Sequence, residues 1–530
     1  MVMTINGRMQ RLLAKFCRSE KGNIAVLFAI AAVPLISFVG AAIDYTRANS
    51  ARSSMQAALD STALMLAKDL TDGTITTSQI SAKATAYFTA LYTNTNAKSV
   101  GVTATYTQNT GNGSTILVSG TGSVNTDFMK VAGFPNLNFN TSSTSAWGNV
   151  RMRVAMALDN TGSMASDGKI GALRTAASSL VDQLSALAKS NGDVYISLVP
   201  FAKDVNLGQT NYNQTWIDWT DWEAEAPDLV SSKPNGWSSI GPGSNCPWLI
   251  WLDGFTCVNG PGSTTAISKI PSSGSNKGLI CPGPDSSTYG YKYHYLINGC
   301  YTSVKSGSTY THTWVPNAHS TWSGCITDRT QPYDTLNTTP ISSNFPTLFP
   351  AEQYYENNSS FCTSGNNPPL QAVVPLTYDW AGLKSSITAM QPTGGTNQPI
   401  GIAWAWQSLQ QTAPLNAPAE DTAYTYKKAL IVLSDGLNTE DRWPSYGDGS
   451  SQTGTLIDDR QKILCDKIKA QGVTIYSVQL NTGTPGDPTS PVLQYCASGT
   501  DKFYLVTTAS QTLTVFNSIG TSLAKLRVAK

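Results

Sequence analysis

Charge is scarce in this chain. Lys, Arg, Asp and Glu make up 13% of 530 residues, with 35 basic against 34 acidic side chains and a net charge of +1, where soluble domains usually carry about a quarter. So even a balance leaves no electrostatic footprint for nucleic acid. Histidine is scarcer still: His294, His312 and His319 all fall in one stretch. Ordinary surface or turn positions are the simpler reading of these three, with zinc ligation as the alternative. No Cys-x-x-Cys pair occurs, which argues against a cysteine zinc site. The chain also lacks Gly-x-x-x-x-Gly-Lys, Gly-x-Gly-x-x-Gly, Gly-x-Ser-x-Gly and His-Glu-x-x-His, the signatures of phosphate, dinucleotide, esterase and metalloprotease chemistry. We therefore expect a protein that is not an enzyme. A metal-dependent hydrolase would need a general base near its metal.

What is present begins at the N-terminus. Gly22 to Ile43 contains no charged side chain and is long enough to cross a bilayer. Arg8, Arg11, Lys15, Arg18 and Lys21 precede it. The positive-inside rule keeps this flank cytoplasmic and translocates everything after Asp44. A cleaved signal peptide would have a shorter apolar region, so an uncleaved anchor is expected, with Pro34 tolerated in mid-span. Of the nine cysteines only Cys17 precedes the span. Cys246, Cys257, Cys281, Cys300, Cys325, Cys362, Cys465 and Cys496 follow it, an even count that suits disulfides in an oxidising compartment. Cys465 and Cys496 lie on two predicted helices flanking one strand and are expected to bridge. Cys325–Cys362 is the favoured pair among the rest.

The pattern of elements suggests several segments. Residues 1–21 form the basic cytoplasmic segment and 22–43 the transmembrane helix. Residues 44–148 read as a long helix followed by a small α+β unit, with strands on either side of the turn signal Asn109-Thr110-Gly111-Asn112-Gly113. From 149 to 202 strands and helices alternate, and they do so again from 373 to 530. Such alternation predicts an α/β fold with a mostly parallel sheet covered on both faces. Between these parts, residues 203–372 lose the alternation and hold six of the nine cysteines and most of the tryptophans. Aromatic richness argues against disorder, so this stretch is expected to be a folded, disulfide-stapled insertion. The cluster Trp216, Trp219 and Trp222 is expected to pack it onto the sheet, with a stacking surface as the alternative. Trp404 and Trp406 point to different faces of one helix, so at least one should lie in a core. Asp458 and Asp459 are adjacent and do not face each other on a helix, so they read as a helix start rather than a catalytic pair.

Five separated residues complete the pattern. Asp159, Thr161 and Ser163 stand in Asp159-Asn160-Thr161-Gly162-Ser163 directly after the apolar run Val154 to Leu158. Thr396 stands in Gly394-Gly395-Thr396-Asn397, and Asp435 directly follows Ala429-Leu430-Ile431-Val432-Leu433-Ser434. Carboxylates at the ends of buried strands, joined by hydroxyls, can converge on a hard cation that takes oxygen ligands. Ligands on such sheets bind at the carboxyl ends of the strands. The arrangement resembles the von Willebrand factor A (VWA) domain and its metal-ion-dependent adhesion site (MIDAS), which uses Asp-x-Ser-x-Ser, a distant Thr and a distant Asp. Thr161 departs from that pattern but keeps the hydroxyl. The resemblance implies a doubly wound VWA-like sheet and a Mg2+ site, or one for Mn2+ or Ca2+, at Asp159, Thr161, Ser163, Thr396 and Asp435. A partner's acidic side chain would complete the metal shell.

A second resemblance lies at the N-terminus. Lys21-Gly22-Asn23-Ile24-Ala25-Val26-Leu27-Phe28-Ala29, Ala42-Ile43-Asp44-Tyr45 and Gln56-Ala57-Ala58-Leu59-Asp60-Ser61-Thr62-Ala63-Leu64 are similar to the start of bacterial TadE/TadG-like proteins of the tight-adherence (Flp) pilus machinery. The processed pseudopilins of that group carry Glu five residues after the processing Gly. Here that residue is Leu27, which points to the anchored TadG-like branch. Trp322-Ser323-Gly324-Cys325 resembles a Trp-x-Gly-Cys segment of the same proteins. The resemblance implies a single-pass protein of the bacterial inner membrane with a periplasmic C-terminal domain. It would contact other pilus-assembly or envelope proteins. An envelope adhesin or scaffold outside the pilus system is the alternative.

Overall fold

The computed structural model describes residues 23–528, apart from Asp72, 108–112, 148–149, Lys189, 250–254, Thr264, 284–296, 353–369, Ala423 and 483–487. Two compact units divide the chain, with the boundary between Asn149 and Val150.

The first unit is built on one helix, α1 (Asn23–Thr71), that runs unbroken through Pro34. Its early part is apolar all round and uncovered: Phe28 is 73% and Phe38 77% exposed. This helix is long and apolar enough to cross a membrane. Beyond Asp44 its character changes. Met55, Leu59, Ala63 and Leu66 follow helical spacing and are buried, each large side chain contributing about 1.5–3 kcal/mol. They pack on α2 (Ile80–Leu91) and on an antiparallel sheet of β1 (Ala97–Thr107), β2 (Ser114–Asn125) and β3 (Asn136–Trp147), in the order β1-β2-β3. Gly120 on β2 lets the helix approach, since a Cβ there would meet Met55 Sδ at 2.7 Å. Asp44 is buried and accepts three backbone N–H groups, from Asp127 (3.0 Å), Phe128 (2.9 Å) and Met129 (2.8 Å). It thereby ties the β2–β3 connection to the helix.

The second unit carries a six-stranded sheet. Its members are β4 (Val150–Asp159), β5 (Val194–Phe201), β6 (Val374–Thr377), β7 (Thr425–Ser434), β8 (Thr474–Leu480) and β9 (Phe503–Val506), in the order β6-β5-β4-β7-β8-β9. All neighbouring pairs are parallel except β6–β5 at one edge. Side chains alternate across a strand. Met152, Val154, Met156 and Leu158 of β4 pack on one face with α3 (Lys169–Ser185), α4 (Trp380–Ala389) and α8 (Ala509–Val528). Ala155 and Ala157 pack on the other with α5 (Gln398–Ser408), α6 (Leu456–Ala470) and α7 (Pro491–Cys496). Burial on both faces explains the unbroken apolar runs.

The described residues between β5 and β6 are folded. Trp216, Trp222, Trp322 and Phe349 pack against Ile400 and Trp404 of α5. Helix α5 is thus covered on two sides, which is why both Trp404 and Trp406 are buried. A separate cluster of Trp248, Phe255, Ile280 and Tyr301 is stapled by Cys246–Cys257 and Cys281–Cys300. Cys465–Cys496 joins α6 to α7, the pair expected from the sequence. The Cys325–Cys362 pairing lies outside the described residues because Cys362 does. His294 lies outside them as well. His312 contacts the Ile240 carbonyl, and His319 stacks on Trp219 and pairs with Glu223, so these two do not share a site.

Candidate metal centre

The register of two parallel strands assembles the site. Leu158 of β4 lies opposite Leu433 of β7, so Asp159 and Ser434 come next, side by side, and Asp435 follows. The Ser434 hydroxyl donates to Asp159 Oδ2 at 2.6 Å. Asp159 Oδ1 accepts from the Thr161 N–H (2.8 Å) and the Thr161 hydroxyl (2.5 Å), a tight Asx-type turn. Thr161 Oγ1 lies 3.0 Å from Ser163 Oγ, and the Ser163 hydroxyl donates to Asp435 Oδ1 at 2.7 Å. Four of the five sequence-picked residues therefore form one continuous chain of oxygen atoms.

Thr396 is held instead by its backbone to Thr439. Its N–H donates to Thr439 Oγ1 (2.8 Å) and its carbonyl accepts from the Thr439 N–H (2.9 Å). The loop before it docks on the first motif: Gly162 N–H donates to the Gly394 carbonyl and Thr393 N–H to the Asn160 carbonyl, both at 2.8 Å. A Cβ on Gly162 would meet that Gly394 oxygen at 3.4 Å, an ordinary van der Waals contact, so the two loops lie close without the approach demanding glycine. Asn397 accepts from the Ile400 N–H and caps α5, with Pro399 in the first turn. This fixes where Thr396 leaves the loop.

Four of the five are buried, with Asp159 and Thr161 0% exposed, Asp435 1% and Thr396 5%, while Ser163 is exposed. Burial, and then the neighbouring Asp435, push the Asp159 carboxyl up to about 7. Sequence reasoning missed Lys169, at the start of α3, whose ammonium sits 2.8 Å from Asp435 Oδ2 in a buried ion pair. A lone basic residue ten positions after Asp159 was the available signal. Ser434 was missed too, although its place opposite Asp159 follows from strand register. An oxygen-only donor set with two buried carboxylates is chemistry for hard cations, not for the softer metals that thiolate or imidazole ligands select.

Residues 22–67 match the Flp pilus-assembly TadE/G-like family. No curated protein sequence matches the chain. Among solved structures, the pilus adhesin SpaC from Lactobacillus rhamnosus GG aligns over 82% of this chain and 36% of its own, at 11% identity and a TM-score of 0.30. The chain thus spans about a third of that adhesin's length. The vWF domain of the type V pili tip protein Mfa5 from Porphyromonas gingivalis aligns over 72% of this chain and 98% of its own, at 9% identity and a TM-score of 0.32. The PilB minor pilin from Streptococcus sanguinis aligns over 80% and 78%, at 9% and 0.30. Likenesses this distant carry no argument about what the chain does.

Proposed function

We propose that this chain is a membrane-anchored protein of Flp/Tad pilus assembly whose second unit is a doubly wound VWA domain that holds partners through a divalent cation. One observation carries the reading. Asp159, Thr161, Ser163 and Asp435 meet at the carboxyl edge of a mostly parallel sheet, with the Thr396 loop docked on them. Lys169 adds support, because its ammonium supplies at Asp435 the positive charge that a bound cation would bring. Asp159, Thr161, Ser163 and Asp435 would hold Mg2+, or Mn2+ or Ca2+, with Thr396 ligating directly or through water. Bound there, the cation would offer a coordination position to a partner's carboxylate. The Asx turn at Asp159 and the Gly162–Gly394 contact hold the two loops in place before any partner arrives. The protein acts by binding, without catalysis. The pilus context rests on the match at residues 22–67. The exposed apolar part of α1, with the basic flank before it, supports a single inner-membrane pass and a periplasmic second unit.

Isothermal titration of the full chain in detergent with Mg2+ and Mn2+ tests the site. Asp159→Ala should abolish one binding event, because it removes formal charge as well as an oxygen. Thr161→Ser, which keeps the ligand atom, should be nearly neutral. If Asp159→Ala binds as the unmodified chain does, the loop is a capping device and the adhesion-site reading fails.

A further inference from the structure

A second group of buried carboxylates lies where the insertion meets the sheet. Val205 and Asn206 pair antiparallel with Ile326 and Cys325, and Ile326 bridges Ala351. Asp204, Thr327 and Glu352 each stand one residue beyond these pairings. The Thr327 N–H donates to the Pro350 carbonyl and the Glu352 N–H to the Cys325 carbonyl, which locks the three segments together. The side chains of Asp204, Cys325 and Glu352 converge, with their ligand atoms within 4.8 Å of one another. Cys325 is disulfide-bonded and has no thiolate to offer, so the donors that remain are oxygens.

Asp204 is 0% exposed, Thr327 2% and Glu352 3%. Asp204 lies against the Glu352 carboxyl and the Thr327 hydroxyl. Even so, neither Asp204 oxygen receives a hydrogen bond of acceptable geometry, and Thr327 Oγ1 is likewise without one. Such atoms are costly when buried. Lys203 acts on Asp204 from nearby, but among the described residues the carboxyls outnumber the cations here. Asp328, Glu440 and Asp441 are also buried. Against these five carboxyls stand Lys203, 3.7 Å from Glu440, and Arg442, which is shared with the Asp328 carbonyl and Asp221. Burial pushes Asp328 and Glu440 up to about 7 and Asp441 to about 8, and raises Asp204 as well.

We propose that Asp204, Glu352 and Thr327 bind a calcium ion, a second cation site built from residues distinct from the Asp159–Asp435 loops. Two carboxylates balance its charge. A hard cation with irregular oxygen geometry suits strand ends, where backbone carbonyls and water fill the remaining positions. The ion would fasten the insertion to the strand that leaves β5. Asn397 ties the same neighbourhood to the Thr396 loop through Asp328 Oδ2 (2.7 Å) and the Lys203 carbonyl (3.0 Å).

The test uses the full chain in detergent with Asp159→Ala present throughout, purified in calcium and desalted. Elemental analysis should find about one calcium per chain, by the site count argued above. Bound terbium should emit when tryptophan is excited, because Trp322 donates to the Cys325 carbonyl at 2.9 Å. Adding Asp204→Asn or Glu352→Gln should remove both signals. If either combination fails to fold by circular dichroism, Trp322→Phe, which keeps the ligands, should dim the terbium emission and so localise the ion. An Asp159→Ala chain with neither calcium nor terbium emission overturns the proposal, and the two carboxyls then share a proton. Unchanged signals in Asp204→Asn or Trp322→Phe overturn it as well. A wild-type chain holding no more cation than Asp159→Ala sinks the adhesion-site reading alone.

Discussion

Asp159→Asn isolates the electrostatics of the candidate site. Without metal, the buried Asp159 carboxyl is held at about 7, against an ordinary 3.8. Between those values the native chain keeps a proton that the unfolded chain has released, so stability falls as pH rises through this window. About three units at roughly 1.4 kcal/mol each give about 4 kcal/mol at most. Asparagine keeps the shape and carries no such proton, so its contribution to the slope disappears. The second unit, Val150–Ala529, is about 380 residues long. At ~2.1 cal/mol/K per residue its unfolding entropy is ~0.8 kcal/mol/K, and 4 kcal/mol becomes a shift of about 5 °C. The assay is the melting temperature of the full chain in detergent with chelator, at about pH 4.5 and about pH 7.5. Asp328, Glu440 and Asp441 titrate in the same direction over an overlapping range. The informative quantity is therefore the difference between the two proteins. The unmodified chain should lose about 5 °C more than Asp159→Asn between the two pH values, and Mg2+ should restore much of that loss. Equal losses in both proteins would refute the argument.

Two further outcomes follow from the packing. Lys169→Met removes the ammonium that a cation must displace from Asp435, so Mg2+ affinity by titration should rise about tenfold, the worth of one charge-assisted hydrogen bond. The same change leaves Asp435 buried without its partner and should lower metal-free stability by about 3 kcal/mol in chelator melts. Asp44→Ala strands three backbone N–H groups beneath α1 and should destabilise the first unit by about 2–4 kcal/mol. Faster hydrogen exchange across Asp127–Met129 would report it, and unchanged exchange there would show that the three bonds are dispensable.

The parts of this chain legible in its sequence are those where burial writes a period. β4 and β7 are apolar on both faces because helices cover both, and their unbroken runs point directly at Asp159 and Asp435. The helical spacing of Met55, Leu59 and Leu66 likewise marks the buried side of α1. Elsewhere no period exists to be read. The strands at Val205–Asn206 and Cys325–Ile326 are two residues long, too short for alternation, and they are held by pairing across more than a hundred positions. Asp204, Thr327 and Glu352 were invisible for that reason. Trp404 and Trp406 show the same limit: helix geometry predicts that they face opposite ways, but only the insertion's cover over α5 buries both.

Register, more than motif, makes the candidate centre. The run from Asp159 at the end of β4 supplies three oxygen-bearing side chains wherever it sits, and the Asp after β7 supplies one more. What joins them is the parallel pairing of Leu158 with Leu433. A slip of one residue would set Leu433 against Asp159 and turn Ser434 to the opposite face. The Ser434–Asp159 and Ser163–Asp435 bonds would both be lost, and two buried carboxylates would be left without donors. The same slip would exchange the alanines of β4 for its larger residues relative to their neighbours on both faces of the sheet. The hydrophobic pattern that stabilises the sheet therefore also fixes the distance between Asp159 and Asp435, and a cation placed there meets ligands whose spacing the core has already set.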